Sequence, residues 1–397
     1  MNRATWFSVH SWLGVKLAIM LCFIVLTGTL AVISNELDWL ANPAKRVTPS
    51  SVEGMNWQAV YATAQQEVPI NTLRSIQAPL HPWYSAEVIY LDGDEQRHRL
   101  FFHPTTGGYL GDGRWQNWQR FFRMLHRHLM LPLTLGITVV SLFAVVMLAM
   151  LVSSLCIYKS WWSHFFRKPR WQHRKTRWVD LHRLVGVWSL WFLLIISVTG
   201  CWYLAERWGA TATSPERLTA NSEKALTQSI MPDSELLALI LAQAHEKFPA
   251  LSITRVNFPQ KSGDVVEIQG QADAILVRQR ANFATFDPAT GQPIQHQDGR
   301  DLSVHNRISE AADPLHFGQW GGMLSKVLYF VFGLFLTGLT VTGTYMYGMR
   351  VARISRHETK PRRRIWRRAL AHMKALGWVS AIGVCASIFY GVFIFSV

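Results

Sequence analysis

His10-Ser-Trp-Leu-Gly14 and His182-Arg-Leu-Val-Gly186 share a spacing to which a helix gives a meaning. Each histidine opens an apolar run that reaches a Thr-Gly pair, Thr27-Gly28 and Thr199-Gly200, with the threonine seventeen residues on. At ~100° per residue, the glycine at +4 lies about 40° from the histidine, and the glycine at +18 returns to its azimuth after five turns. One stripe of a straight helix would then carry an imidazole at one end and bare backbone about 27 Å further along. That layout suits two flat prosthetic groups stacked along a membrane, one ligated and one given room. The competing explanation is chance plus the ordinary glycine enrichment of membrane helices. Recurrence at identical spacing weighs against it.

The elements that must position these residues are apolar. The chain has 397 residues, 49% hydrophobic and 16% charged, with 18 Trp, a composition that argues for an integral membrane protein. Five runs reach spanning length, near 12–34, 133–157, 184–205, 324–347 and 374–396. The first is too long for the h-region of a signal peptide and lacks a small-residue cleavage site before Asn35-Glu36, so it reads as a retained helix. Segment 159–183 holds eight Lys or Arg against one acid, and 348–374 holds ten against one. The stretches 35–120 and 206–320 are mildly acidic, with seven basic residues to nine acidic and ten to fourteen. The basic connections therefore face the cytoplasm and the long stretches face outward, with the N-terminus cytoplasmic. The net charge of +15 is mostly this topology signal; the run Arg362-Arg363-Arg364 sits between two spans, which argues against a nucleic-acid role. The four cysteines, Cys22, Cys156, Cys201 and Cys385, fall inside spans and form no Cys-x-x-Cys, which supports neither a zinc nor an iron–sulfur site.

The duplication extends beyond the two helices. One outward stretch contains Phe102-His103-Pro104-Thr105-Thr106-Gly107-Gly108 and the other Phe286-Asp287-Pro288-Ala289-Thr290-Gly291. Each follows runs that read as strands, Ala86–Tyr90 with Arg99–Phe102, and Val265–Ile268 with Ala284–Phe286, and Pro-x-Thr-Gly is a turn signal. Each stretch opens with a helical pattern, near Trp57–Gln66 and Asp233–Phe248, so each is expected to be a small α+β domain. After each turn comes a histidine shortly before the next span, in Leu125-His126-Arg127 and Leu315-His316-Phe317. The unit of span, outward domain, span occurs twice in parallel orientation, and the fifth span stands alone. Such repeats place functional sites at the interface of the two halves.

With the His-x-x-x-Gly start, the Thr-Gly pair, the outward turn and the Leu-His-Arg before the next span, the chain resembles the PepSY-associated transmembrane proteins over nearly its whole length, except the fifth span. His103 stands where the pattern has Asp. These are bacterial, often iron-regulated inner-membrane proteins that include dihaem ferric-siderophore reductases. The resemblance implies an α-helical integral membrane protein of about five transmembrane helices in two parallel repeats, with two small α+β PepSY-like periplasmic domains. Its expected boundaries are helix 1 over 1–34, a periplasmic domain over 35–125, helix 2 over 126–158, and a basic cytoplasmic loop over 159–183. Helix 3 follows over 184–205, the second periplasmic domain over 206–320, helix 4 over 321–347, a second basic loop over 348–373, and helix 5 over 374–397.

Depth pairs the ligands. A six-coordinate b-type haem needs two axial imidazoles at one membrane level. Helices 1 and 3 enter from the cytoplasm, which puts His10 and His182 at the inner level. Helices 2 and 4 enter from outside, which puts His126 and His316 at the outer level. His128 is the alternative to His126, since residues two apart on a helix point about 200° from each other and only one of them meets a given haem. The repeat register favours His126. His372 is a possible substitute inner ligand, but its basic surroundings favour an interfacial role. Arg127 and Arg183 each follow a ligand, suited either to haem propionates or to lipid headgroups. Gly28 and Gly200 reach the outer level, where they would rest against the second haem or let helices approach closely. Trp188, Trp191 and Phe192 are candidates to pack on porphyrin, against the commoner interfacial or lipid-facing role. His164, His173 and His357 read as solvated in the cytoplasmic loops. His81, His98, His103, His245, His296 and His305 lie outward, and nothing in their spacing singles them out.

The expected function is transmembrane electron transfer through two haem b groups, reducing a periplasmic ferric siderophore or other ferric chelate and releasing Fe(II). No Gly-x-Gly-x-x-Gly motif supplies a flavin or nicotinamide site, so the electron donor is a quinol or a separate reductase. The alternative is a non-enzymatic membrane protein whose outward domains bind a peptide or a protease. A chelate transporter lacks support: no span embeds an acid, and Lys16 and Lys326 lie near enough to span ends to snorkel.

Overall fold

The computed structural model describes residues 2–49, 54–171, 174–352 and 362–396; His173 and His357 lie outside them. In chain order the helices are α1 (Arg3–Lys16), α2 (Ala18–Val32), α3 (Ser34–Ala41), α4 (Trp57–Glu67), α5 (Trp118–His128), α6 (Leu133–Ile157), α7 (Arg174–Trp188) and α8 (Leu190–Ala205). They continue with α9 (Glu223–Thr227), α10 (Ser234–Lys247), α11 (Val304–Phe317), α12 (Gly322–Val351), α13 (Arg362–Met373) and α14 (Ala375–Ser396). The strands are β1 (Leu73–Gln77), β2 (Ala86–Leu91), β3 (Arg97–Phe102), β4 (Tyr109–Arg114), β5 (Ser252–Asn257), β6 (Val266–Gln271), β7 (Asn282–Phe286) and β8 (Pro293–Gln297). The chain divides into a helical unit, Met1–Asn35, Trp118–Thr211 and Leu315–Val397, and a sheet unit, Glu36–Asn117 and Ala212–Pro314.

Among the described residues of the helical unit, four helices are long and apolar enough to cross a membrane, and the bent pair α1 and α2 makes a fifth. Hydroxyls within these runs are satisfied locally. Thr27 and Thr29 donate to the carbonyls of Phe23 and Val25, and Thr199 and Thr342 to those of Ile195 and Gly338, which satisfies these hydroxyls within their own helices; the buried Ser189 hydroxyl is without a partner among the described residues. Small residues set the helix contacts. A Cβ on Gly200 would meet the Ala144 Cβ of α6 at 2.6 Å, and one on Gly333 of α12 would meet Thr29 of α2 at 2.4 Å.

Four expectations need correction here. The first span is not a straight helix over 12–34: α1 and α2 meet at 72°, at Leu17. The third starts at Arg174 and departs from helical angles at Ser189 (φ −89°, ψ 0°). The single straight stripe from histidine to glycine is therefore broken on the first span, whereas on the third the i→i−4 bonds run on through Ser189. Lys16, at the bend, does not snorkel outward; its ammonium donates to the His372 carbonyl. Finally, α5 and α11 precede the second and fourth spans as separate segments. The second span begins at Leu133, after a turn through Leu129 and Met130, so His126 does not open it.

In the sheet unit, α4 is followed by the antiparallel meander β1–β4 and α10 by β5–β8. Asn56 caps α4 and Asp233 caps α10, each accepting from a backbone N–H three residues on. The expectation of two separate small domains is corrected by the pairing of β1 with β5, Ile76 opposite Val256. That pairing fuses both meanders into one eight-stranded sheet, ordered β4-β3-β2-β1-β5-β6-β7-β8. Strand alternation sends Ile76, Val88, Phe102, Val256, Ile268 and Phe286 to one face, where they bury against Val60, Tyr61 and Ala64 of α4 and Leu237, Ile240 and Ala244 of α10.

The turns after β3 and β7 explain His103. Asp287, buried, accepts from the N–H groups of Asn221, Ser222, Ala289 and Thr290 and from the Ser222 hydroxyl. His103 Nδ1 accepts from Thr105 N–H and Thr106 N–H in the same turn position, so an imidazole nitrogen stands in for the carboxylate. Burial alone would raise the Asp287 pKa, but these bonds outweigh it and hold the carboxyl below its ordinary range. A depressed native value contributes stability above the unfolded carboxylate pKa of about 4, lost as pH falls through the native value. Asp287→Ala should destabilise the sheet unit by about 2–4 kcal/mol through its orphaned donors, and Asp287→Asn should flatten the fall in melting temperature below about pH 4. Thermal melts across that pH range measure both.

Candidate functional site

Four imidazoles converge from helices of the helical unit. His126 stands on α5, an amphipathic helix with Phe121, Phe122 and Leu125 between Arg120, Arg123 and Arg127. Its Nδ1 lies 2.9 Å from the Ile24 carbonyl of α2. His316 stands near the end of α11, with Nδ1 2.8 Å from the Thr199 hydroxyl of α8. The two ring centres are 6.1 Å apart with planes inclined at 32°, and Tyr203 abuts His316 edge-on at 5.3 Å. Gly28 of α2 lies under the His126 ring, where a Cβ would fall 2.7 Å from Cε1.

His10 and His182 repeat the pattern. His10 Nδ1 lies 3.0 Å from the Ser153 hydroxyl of α6, and His182 Nδ1 lies 2.9 Å from the Thr342 hydroxyl of α12. A Cβ on Gly343 would touch the His182 ring at 3.3 Å.

The hydrogen bonds fix which nitrogen carries the proton. The Ile24 carbonyl only accepts, so His126 Nδ1 must donate. Ser153 spends its proton on the Met150 carbonyl, Thr199 on Ile195 and Thr342 on Gly338, so each hydroxyl oxygen accepts from its histidine. Each of the four rings can thus donate from Nδ1, which in the neutral form leaves the lone pair on Nε2. A histidine ligand is commonly prepared this way: the second nitrogen donates to the protein and orients the ring, leaving the first for a metal. The donor chemistry of His126 and His316, with ring centres 6.1 Å apart, fits a haem iron that the two histidines would hold, and His10 and His182 offer the same donor type.

The remaining candidates sit elsewhere. His128 turns back to the Leu131 carbonyl at 2.9 Å and closes the turn after α5, so of the two it is His126 that meets His316. His372 bonds the Arg368 carbonyl of its own helix at 2.9 Å and packs on Tyr347. Arg183 lies over the Tyr158 ring, and Arg127 is exposed. Gly200 faces Ala144 of α6. Trp191 and Phe192 pack against Phe332 and Tyr329 of α12, and Trp188 donates to the Phe165 carbonyl. Sequence reasoning missed the acceptors Ser153 and Thr342. Thr199 was in view as half of a Thr-Gly pair, but its role as the His316 acceptor was not. The available signal was a hydroxyl recurring inside otherwise apolar runs. Thr342→Val should leave the His182 Nδ1 without its acceptor and destabilise the helical unit by about 1–3 kcal/mol, read as a lower melting temperature.

Apolar helices able to cross a membrane, four Nδ1-anchored imidazoles set among them and a sheet-built unit define the class: a membrane-spanning protein. The chain belongs to the family described as the PepSY-associated TM region, whose family model matches residues 7–350. Among curated proteins none matches it.

Proposed function

We propose that the chain is a dihaem b electron-transfer protein of the bacterial inner membrane, a ferric-siderophore or other ferric-chelate reductase. The observation that carries the reading is the set of four Nδ1-anchored imidazoles in two pairs, one pair with ring centres 6.1 Å apart. His10 and His182 would hold one haem and His126 and His316 the other. Bound haem supplies one-electron transfer, a chemistry the side chains themselves lack. The chain's own residues fix the rings, their tautomers and their surroundings.

The basic connections over 159–183 and 348–373 support a cytoplasmic N-terminus, which makes His10–His182 the inner pair and the sheet unit periplasmic. The succession of helix and four-stranded meander, twice over, supports the reading of two parallel repeats with PepSY-like modules. Reduction of the substrate iron to Fe(II) weakens the hold of hard oxygen ligands, so iron leaves the chelate. The donor on the inner side is a quinol or a separate reductase.

A redox-titrated optical spectrum with haem stoichiometry tests the proposal. Two low-spin b-type haems per chain, oxidised by a ferric chelate after dithionite reduction, are the expected result. Purified protein without haem overturns it and favours a module that holds a peptide or protease partner, a role for which four oriented imidazoles have no use.

A further inference from the structure

We propose that α14, which lies beyond the family-matched residues 7–350, is a strap that positions His126, with Ser387 as its positioning residue. The turn that ends α5 runs through Leu129 and Met130 at φ 55° and 57°, the left-handed region that bulky residues avoid. Leaving the helix there strips the last carbonyls of α5 of helical partners. The buried Ser387 hydroxyl reaches the carbonyl of Leu129, the residue at which α5 ends, at 2.9 Å, and shares its proton between that carbonyl and its in-helix acceptor, Gly383, at 2.8 Å. One turn further along α14, a Cβ on Gly391 would meet Met130 at 3.0 Å and Phe121 at 3.1 Å, and Phe395 packs edge-on against Phe121 at 5.1 Å. The helix that carries His126 is therefore gripped at its turn and along its apolar face by α14.

The other half of the chain gives the contrast. After His316 the backbone turns at Gly318, with φ 68° and no side chain to strain it. The following span caps this turn by itself: Ser325 donates to the Gly318 carbonyl at 2.6 Å and Tyr329 to the Leu315 carbonyl at 2.5 Å. Near His126 the turn has no glycine, and the serine that α12 supplies from within comes instead from α14. The fifth span thus supplies a support that the first half lacks and the second half contains. It acts on one ligand of one pair.

The redox half of this proposal rests on the haem reading; its exchange half does not. Hydrogen exchange on the full-length chain should show residues 118–131 exchanging about five- to tenfold faster in Ser387→Ala than in wild type, with 315–325 unchanged and Ser387→Thr restoring protection. Gly391→Leu, which pushes on Met130 and Phe121, should act on the same segment. In the haem-loaded protein, Ser387→Ala should retain two haems and shift the midpoint potential and low-spin signal of the haem that His316→Ala removes, while the other stays put. Equal changes at both haems, or exchange in Ser387→Ala that rises equally around His126 and His316 or at neither, overturns the strap. Wild-type protein without haem overturns the redox half, and the exchange result then decides the rest.

Discussion

His316→Ala should leave the protein with one haem instead of two. The His316 Nδ1 bond to Thr199 and the 6.1 Å separation from His126 make these two rings one site. In the dihaem reading proposed above, loss of one of the two imidazoles that would hold a haem should lower occupancy of that site at least about tenfold. His126→Ala should do the same, and the double variant should lose nothing further, because both substitutions act on one unit. His10→Ala should remove the other haem. His128→Ala, which only opens the turn to Leu131, should keep both. Haem stoichiometry and dithionite-reduced spectra of these variants check the pairing. Loss of both haems in His316→Ala would mean that the sites fill cooperatively, and loss of neither would break the pairing.

Part of this site was legible in the sequence. Long apolar runs between basic loops give an expected direction for each span, and that direction sorts His126 with His316, whose rings stand 6.1 Å apart. The helix geometry drawn from the same runs was not legible. The 72° bend at Leu17 falls in a run with no proline, and its neighbour Lys16 bonds a carbonyl of α13, more than three hundred residues away in the chain. The strands divide the same way. β3, with its run Leu100, Phe101 and Phe102, is readable, whereas edge strand β4 contains two glycines and β8 opens with a proline, signals that point to loops. The joining of β1 to β5 depends on residues such as Ser75 and Asn257 finding each other across the chain, and no local pattern encodes that.

Gly28 and Gly200 are equivalent in the sequence, and their substitutions should nevertheless give different phenotypes. A Cβ on Gly28 would lie 2.7 Å from His126 Cε1 and 2.9 Å from Nδ1, so the ring must move. It cannot move freely, because Nδ1 is held by the carbonyl of Ile24, one helical turn back on the same helix. Gly28→Ala should therefore displace one ligand and lower occupancy of the His126–His316 haem about tenfold, leaving the His10–His182 haem intact. At Gly200 the clash is with the Ala144 Cβ at 2.6 Å, a methyl fixed to the backbone of α6, so relief requires the two helices to separate. Gly200→Ala should cost about 1–3 kcal/mol of overpacking strain, read as a lower melting temperature, and Ala144→Gly in the same chain should restore it. No such second substitution on α6 should rescue Gly28→Ala, since what blocks it is an imidazole that must stay where it is. Haem stoichiometry and melting temperature of the three variants separate the cases. A shared phenotype would return both glycines to helix packing alone.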